Sequence, residues 1–156
     1  MMKTNEIIEK MIARGFTLAT AESCTGGLIG KTVTDVPGAS EIFGYGMVTY
    51  SNEAKQKVLG VKEETLARYG AVSPETAEEM AIGLRKLSSA DYAVSVTGIA
   101  GPGGGSTEKP VGLVYMGVAA PQGVFVKKNL FIGNREEIRL QTTETALAFV
   151  AEVAGL

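Results

Sequence analysis

A chain of 156 residues with 45% hydrophobic and 21% charged side chains has the length and composition of one soluble globular domain, residues 1–156. A formal net charge of −2, with no block of Lys and Arg, excludes the electrostatic footprint of a nucleic-acid binder. One cysteine and no histidine exclude an intrachain disulfide, a cysteine or histidine metal centre, and a Ser-His-Asp triad.

In chain order, Thr4 is placed to cap a helix with Ile7, Ile8, Met11 and Ile12 on one face, ended by Gly15. This charged, amphipathic start lacks the apolar core of a secretory signal, and no apolar run is long enough to span a membrane. A cytoplasmic protein is the expectation. Phe16 to Ala21 reads as a short strand and Thr25 to Val36 as a helix stopped by Pro37-Gly38. Phe43 to Tyr50 is a second strand. Ser51 can cap a helix through Leu59, with Gly60 at its end, and Lys62 to Tyr69 is a further short helix.

Ser73-Pro74-Glu75 opens an amphipathic helix carrying Ala77, Met80, Ala81 and Leu84. Tyr92 to Val96 is a buried strand. Val111 to Ala119 and Val124 to Ile132 form a hairpin across Pro121-Gln122-Gly123, and Asn134 with Glu137 starts the last helix as a capping box. Helices alternating with strands before a closing hairpin predict a mixed sheet covered on both faces.

The segment Ala21-Glu22-Ser23-Cys24-Thr25-Gly26-Gly27 lies between a strand and a helix. A serine held there is exposed at the sheet edge, beside free N–H groups of the first helical turn that can receive an oxyanion. Gly26 and Gly27 would keep side chains clear of a ligand. Equally, Ser23 or Thr25 can simply cap the helix. Cys24 is either a rival nucleophile or a small buried side chain. Gly26 to Thr32 imitates the end of a phosphate-binding Walker loop, but the glycine spacing is one residue short, so nucleoside triphosphate binding is rejected.

Without histidine, a base for Ser23 must be a lysine or tyrosine. Tyr50 closes a strand and Lys55 lies in the first turns of the next helix, so both can face the same sheet end. For Lys55 to act as base, its pKa must fall from about 10.4 toward 7–8, which costs about 4 kcal/mol and requires burial. The alternative is a solvated surface lysine. Gly98 to Gly105 is a glycine loop that can serve as an anion nest or as an unliganded surface loop. Ser106, Lys109, Arg135 and Arg139 are the neighbouring candidates for anion contacts.

TAESCTGG, VTYSNEAK, SVTGIAGPGGGSTEKPVG and GNREEIRLQT, in that order and spacing, resemble the C-terminal domain of the CinA family along essentially the whole chain. The resemblance implies an α/β fold, a three-layer α/β/α sandwich with a mixed, mostly parallel sheet. It also implies hydrolysis of nicotinamide mononucleotide (NMN) to nicotinic acid mononucleotide and ammonia, the reaction of stand-alone members, with no metal and no cofactor. The family's serine falls on Ser23, its tyrosine on Tyr50 and its lysine on Lys55, as the catalytic set. The family's threonine falls on Thr97 and its arginine on Arg139, and these are read as substrate-binding together with Cys24, Thr25, Gly26, Gly27, Gly98 and Gly101. A small-molecule nucleotide is the expected partner, in a homo-oligomer, without nucleic acid or membrane. A non-catalytic nucleotide-binding module on the same fold is the alternative; it needs the glycine loop but has no use for Ser23, Tyr50 and Lys55 together.

Overall fold

The structure, a computed structural model, describes residues 1–156. The chain runs α1 (Thr4–Arg14), β1 (Leu18–Glu22), α2 (Leu28–Thr34), β2 (Phe43–Val48), α3 (Asn52–Leu59), α4 (Glu63–Tyr69), α5 (Pro74–Ser88), β3 (Tyr92–Gly98), β4 (Leu113–Ala120), β5 (Gly123–Leu130) and α6 (Arg135–Ala154). A short 3-10 turn, Ala39–Glu41, precedes β2.

The strands form one sheet in the order β2-β1-β3-β4-β5. β1 pairs in parallel with β2 and β3, whereas β4 is antiparallel to β3 and to β5. Four strands therefore share a direction and β4 opposes them, giving a mixed, mostly parallel sheet. The β4–β5 hairpin turns on Pro121-Gln122 alone, because Ala120 already pairs with Gly123.

Alternation along the strands divides the core into two layers. Leu18, Tyr92, Val94, Val96, Val114, Met116 and Val118 pack with Ile7, Met11, Ile29, Ile138, Leu147 and Val150 from α1, α2 and α6. Ala19, Ala21, Ala93 and Ala119 face Leu59, Leu66, Met80 and Leu84 from α3, α4 and α5 and their margins. The result is the three-layer α/β/α arrangement. Full burial of a Leu or Met such as Leu84 or Met80 is worth about 2 kcal/mol each, so α5 is strongly fixed to the sheet. It in turn fixes α3. A Cβ at Gly83 of α5 would lie 1.7 Å from the Leu59 carbonyl oxygen, so only glycine permits this approach.

Several local starts and stops differ from the sequence reading by one to three residues. Thr4 is the first helical residue of α1, not its cap; Lys3 takes that position, and its N–H reaches Glu6 Oε2 at 3.4 Å. Helix α2 starts at Leu28, three residues after Thr25, because Gly26 and Gly27 adopt φ of 59° and 110°, which no right-handed helix accommodates. Strand β2 ends at Val48, although the Thr49 N–H still reaches the Glu22 carbonyl at 2.9 Å.

The carboxyl ends of β1, β2 and β3 consequently lie side by side. In open α/β sheets such an edge is where ligands bind.

Candidate active site

Ser23 is the residue after β1 and continues its alternation, so it follows Ala19 and Ala21 to the α3/α5 face. Lys55 arrives from α3. Ser51 starts that helix by accepting the Ala54 N–H at 3.0 Å, which puts Lys55 one turn in, folded back toward the end of β2. Its side chain is 1% exposed. Nζ lies 3.0 Å from Ser23 Oγ, 2.8 Å from the Thr49 carbonyl and 3.2 Å from the Tyr50 carbonyl.

A neutral amine has two N–H donors and one lone pair. The two carbonyls can only accept, so they take the two donors, and the lone pair is left for the Ser23 hydroxyl proton. Burial lowers the Lys55 pKa from 10.5 to about 8, against the opposing effect of the Cys24 side chain. The α3 N-terminus adds a positive potential that also disfavours the ammonium form. The requirement for a buried lysine at this position is met.

Cys24 stands beside the serine but is chemically different. Burial pushes its thiol up to about 11, although its own backbone N–H and the Arg139 guanidinium work in the opposite direction. At neutral pH it is a protonated thiol.

Ser23, Cys24, Tyr50, Lys55, Thr97, Arg135 and the 98–104 loop surround a cavity of about 290 Å³, with Ala71 and Val72 closing one side. That volume is near the lower bound for small-molecule sites. A larger cleft of about 530 Å³, between the end of α5 and the β4–β5 turn, lies at the opposite end of the sheet from Ser23.

Thr97, Gly98 and Gly101 line the cavity, and Thr97 Oγ1 donates to the Ala71 carbonyl at 2.8 Å. Thr25, Gly26, Gly27 and Arg139 stand behind the wall. The two glycines adopt positive φ, a backbone conformation that favours glycine. Arg139 donates Nε to the Cys24 carbonyl at 3.2 Å and an Nη to the Thr25 carbonyl at 2.7 Å. Tyr50 holds Lys55 with its carbonyl, while its half-exposed phenol accepts from Arg135 at 3.3 Å at the cavity mouth.

The glycine loop is tied down: Arg135 donates to the Gly101 carbonyl at 2.8 Å, the Ile99 N–H donates to the Leu113 carbonyl, and the Ile99 carbonyl accepts from the Gly112 N–H. Ser106 and Lys109 bond to each other, and Lys109 Nζ donates to the Tyr69 carbonyl, so neither reaches the cavity. Besides Lys55, Arg135 is the only cation on the wall. No three Cys, Asp or Glu side chains converge as a metal site, and no helix is long and apolar enough to cross a membrane.

Sequence reasoning passed over Glu22. It is a buried carboxylate accepting from Thr25 Oγ1 at 2.6 Å and from the N–H groups of Gly27, Ile29 and Gly30 at 3.2, 2.8 and 2.9 Å. The α2 N–H groups expected to receive an oxyanion are therefore already occupied. The available signal was an acid closing the otherwise uncharged strand LATAE, since a buried charge must be compensated.

Comparison with known proteins places this geometry in context. The CinA C-terminal domain profile matches residues 2–154. The nicotinamide-nucleotide amidohydrolase PncC of Escherichia coli K12 is 51% identical over 148 residues, covering 94% of this chain and 90% of that protein. A competence-damage inducible protein of Caldanaerobacter subterraneus subsp. tengcongensis is 63% identical over 138 residues, which are 88% of this chain but 34% of the relative. The chain thus spans about a third of the length of such longer relatives. The crystal structure of competence/damage inducible protein CihA from Agrobacterium tumefaciens superposes with a TM-score of 0.93 at 46% identity, covering 97% of this chain and 95% of that one. With nearly every residue inside the matched span, this chain belongs to the CinA C-terminal domain family.

Proposed function

We propose that the protein hydrolyses the carboxamide of nicotinamide mononucleotide, releasing ammonia and nicotinic acid mononucleotide, with Ser23 as nucleophile and Lys55 as base. The observation that carries this is the Lys55 amine, buried, donating to two fixed carbonyls and set 3.0 Å from Ser23 Oγ. The likeness to a protein named as a nicotinamide-nucleotide amidohydrolase, over nearly the full length of both chains, supports the substrate class.

In this reading, Lys55 takes the Ser23 proton as Oγ adds to the carboxamide carbon. The pyridinium ring withdraws electrons from that carbonyl, so a serine–lysine pair suffices without imidazole. Charge moves to the carboxamide oxygen, beside the N–H of Cys24, which lines the cavity and donates to no oxygen within the protein. The Lys55 ammonium returns the proton to the amide nitrogen as the C–N bond breaks, ammonia leaves, and an ester to Ser23 remains. Water, deprotonated by Lys55, then cleaves that ester and Ser23 recovers its proton.

Arg135 at the mouth, with the loop from Gly98 to Gly104, supplies the contacts for the ribose phosphate, and Thr97 contributes to the wall beneath. The test is ammonia release from NMN by the purified protein: Ser23→Ala should abolish release, and intact mass should reveal an ester of nicotinic acid mononucleotide on Ser23. Tight NMN binding without ammonia would instead make this a binding module.

A further inference from the structure

Glu22 is a fully buried carboxylate to which the reaction above assigns no role. It precedes Ser23 and points to the opposite face of the sheet, where its oxygens take the Thr25 hydroxyl and three N–H groups at the start of α2. On the other side of the same turn, Arg139 holds the carbonyls of Cys24 and Thr25. The remaining turn donors are also engaged: the Ser23 N–H with the Val96 carbonyl and the Gly26 N–H with the Ser23 carbonyl. Only the Cys24 and Thr25 N–H groups are left. In a trans peptide the N–H points opposite to its carbonyl, so the grip of Arg139 on the Cys24 carbonyl aims the Thr25 N–H away from Arg139.

The geometry points to Glu22 and Arg139 as positioning residues that clamp the Ser23–Gly27 turn from two sides, leaving the Cys24 N–H, on the cavity wall, as the oxyanion donor. This rests on the serine amidohydrolase reading. Neither side chain touches the reacting atoms. Both act where negative charge develops, in acylation and again in ester cleavage, so their loss should slow turnover and leave ground-state affinity alone. The chemistry of each clamp is demanding. Glu22→Gln turns one acceptor into an NH₂ that faces N–H donors. Arg139→Lys replaces a fork spanning two carbonyls by a point donor.

The test measures ammonia release from NMN for wild type, Ser23→Ala, Glu22→Gln, Arg139→Lys and Arg139→Ala. The Arg139→Ala variant is assayed with and without non-denaturing guanidinium chloride, and thermal unfolding shows which variants are folded at the assay temperature. Expected is a fall in kcat of about 10- to 100-fold, less than the 10²–10³ of deleting a donor outright. KM should stay within about twofold and the midpoint of the pH–rate profile should not move, since neither substrate contacts nor base are altered. Guanidinium should restore part of the kcat of Arg139→Ala.

Unchanged kcat in folded Glu22→Gln or Arg139→Ala overturns the clamp. So does a raised KM at retained kcat, which would make Arg139 a substrate contact. If Glu22→Gln does not fold, Arg139→Ala decides alone, and failure of guanidinium to restore any kcat counts against the clamp. Wild type releasing no ammonia, or Ser23→Ala still releasing it, overturns the amidohydrolase reading and the clamp with it. Failure of the clamp alone leaves those two results intact.

Discussion

Ser23 and Lys55, 32 positions apart in sequence, meet at 3.0 Å inside the protein. Two separate devices produce this contact. The β1 alternation delivers the hydroxyl to the α3 face, and the Ser51 cap fixes where α3 begins, hence where Lys55 falls on its first turn. The contact is buried, and burial gives it chemical meaning, because a solvated lysine at the same distance would be a permanent cation.

Activity should therefore rise with pH through a midpoint near 8, where burial has brought the Lys55 amine. At pH 7 about a tenth of the protein holds the neutral base, so kcat/KM should climb close to tenfold toward pH 9. The profile of kcat/KM with NMN, corrected for substrate stability at high pH, checks this. A flat profile from pH 6 to 9 rules Lys55 out as the titrating base. Lys55→Arg, which keeps the charge but cannot lose the proton, should be inactive at every pH.

The same shift has a consequence for stability. Lys55 is lowered in the native state, so between about 8 and 10.5 the unfolded chain binds the proton and the native chain does not. Stability must then rise with pH across that window; below it both states are protonated and the penalty is present in full. The size is about 3 kcal/mol for a lysine moved from 10.5 to about 8. Lys55→Met lacks this dependence. Urea unfolding of both proteins at pH 7.5 and pH 10 should show wild type gaining on the variant by about 2–3 kcal/mol at the higher pH. A pH-independent difference would mean that the amine is not desolvated.

Cys24→Ala should retain most activity. The thiol is held near 11, so it offers almost no thiolate at pH 7–8, and the part proposed for Cys24 is its backbone N–H, which alanine keeps. Trimming a small buried side chain costs about 1 kcal/mol of stability. Steady-state kinetics with a thermal melt separate the two effects, and a thousandfold loss of kcat in a folded variant would return Cys24 to candidacy as nucleophile.

Much of this site was legible in the sequence because its parts carry local signals. Ser73-Pro74, Asn134 with Glu137, and Ser51 all announced helix starts that the structure contains, each closed by the expected side-chain bond. The absence of histidine directed attention to Lys55. What was not legible depends on who competes for a donor. The N–H groups opening α2 looked free until the Glu22 carboxylate was seen to occupy three of them. Arg139 drew notice by its position one turn beyond Arg135, and its bonds to the carbonyls of the turn were not legible from that spacing. A glycine-rich loop suggested looseness, whereas Arg135 and the backbone anchor it. Pairing of polar groups is a property of three-dimensional proximity, and spacing alone cannot assign it.

Arg135 is then the side chain through which the phosphate of the substrate should be felt. It sits on the cavity wall, donating to the Gly101 carbonyl and the Tyr50 hydroxyl, and no cation other than Lys55 shares that wall. Charge-assisted hydrogen bonds to a phosphate are worth about 1.5–3 kcal/mol, so Arg135→Ala should raise KM for NMN about 10- to 100-fold. It bonds to neither Ser23 nor Lys55, so kcat should stay within a few-fold. Nicotinamide riboside separates binding from incidental loosening of the loop: it lacks the phosphate, so its kcat/KM should be nearly the same in wild type and Arg135→Ala. Equal losses for both substrates would mean that Arg135 serves the loop and not the phosphate, and the anion contact would have to come from the backbone N–H groups between Gly98 and Gly104.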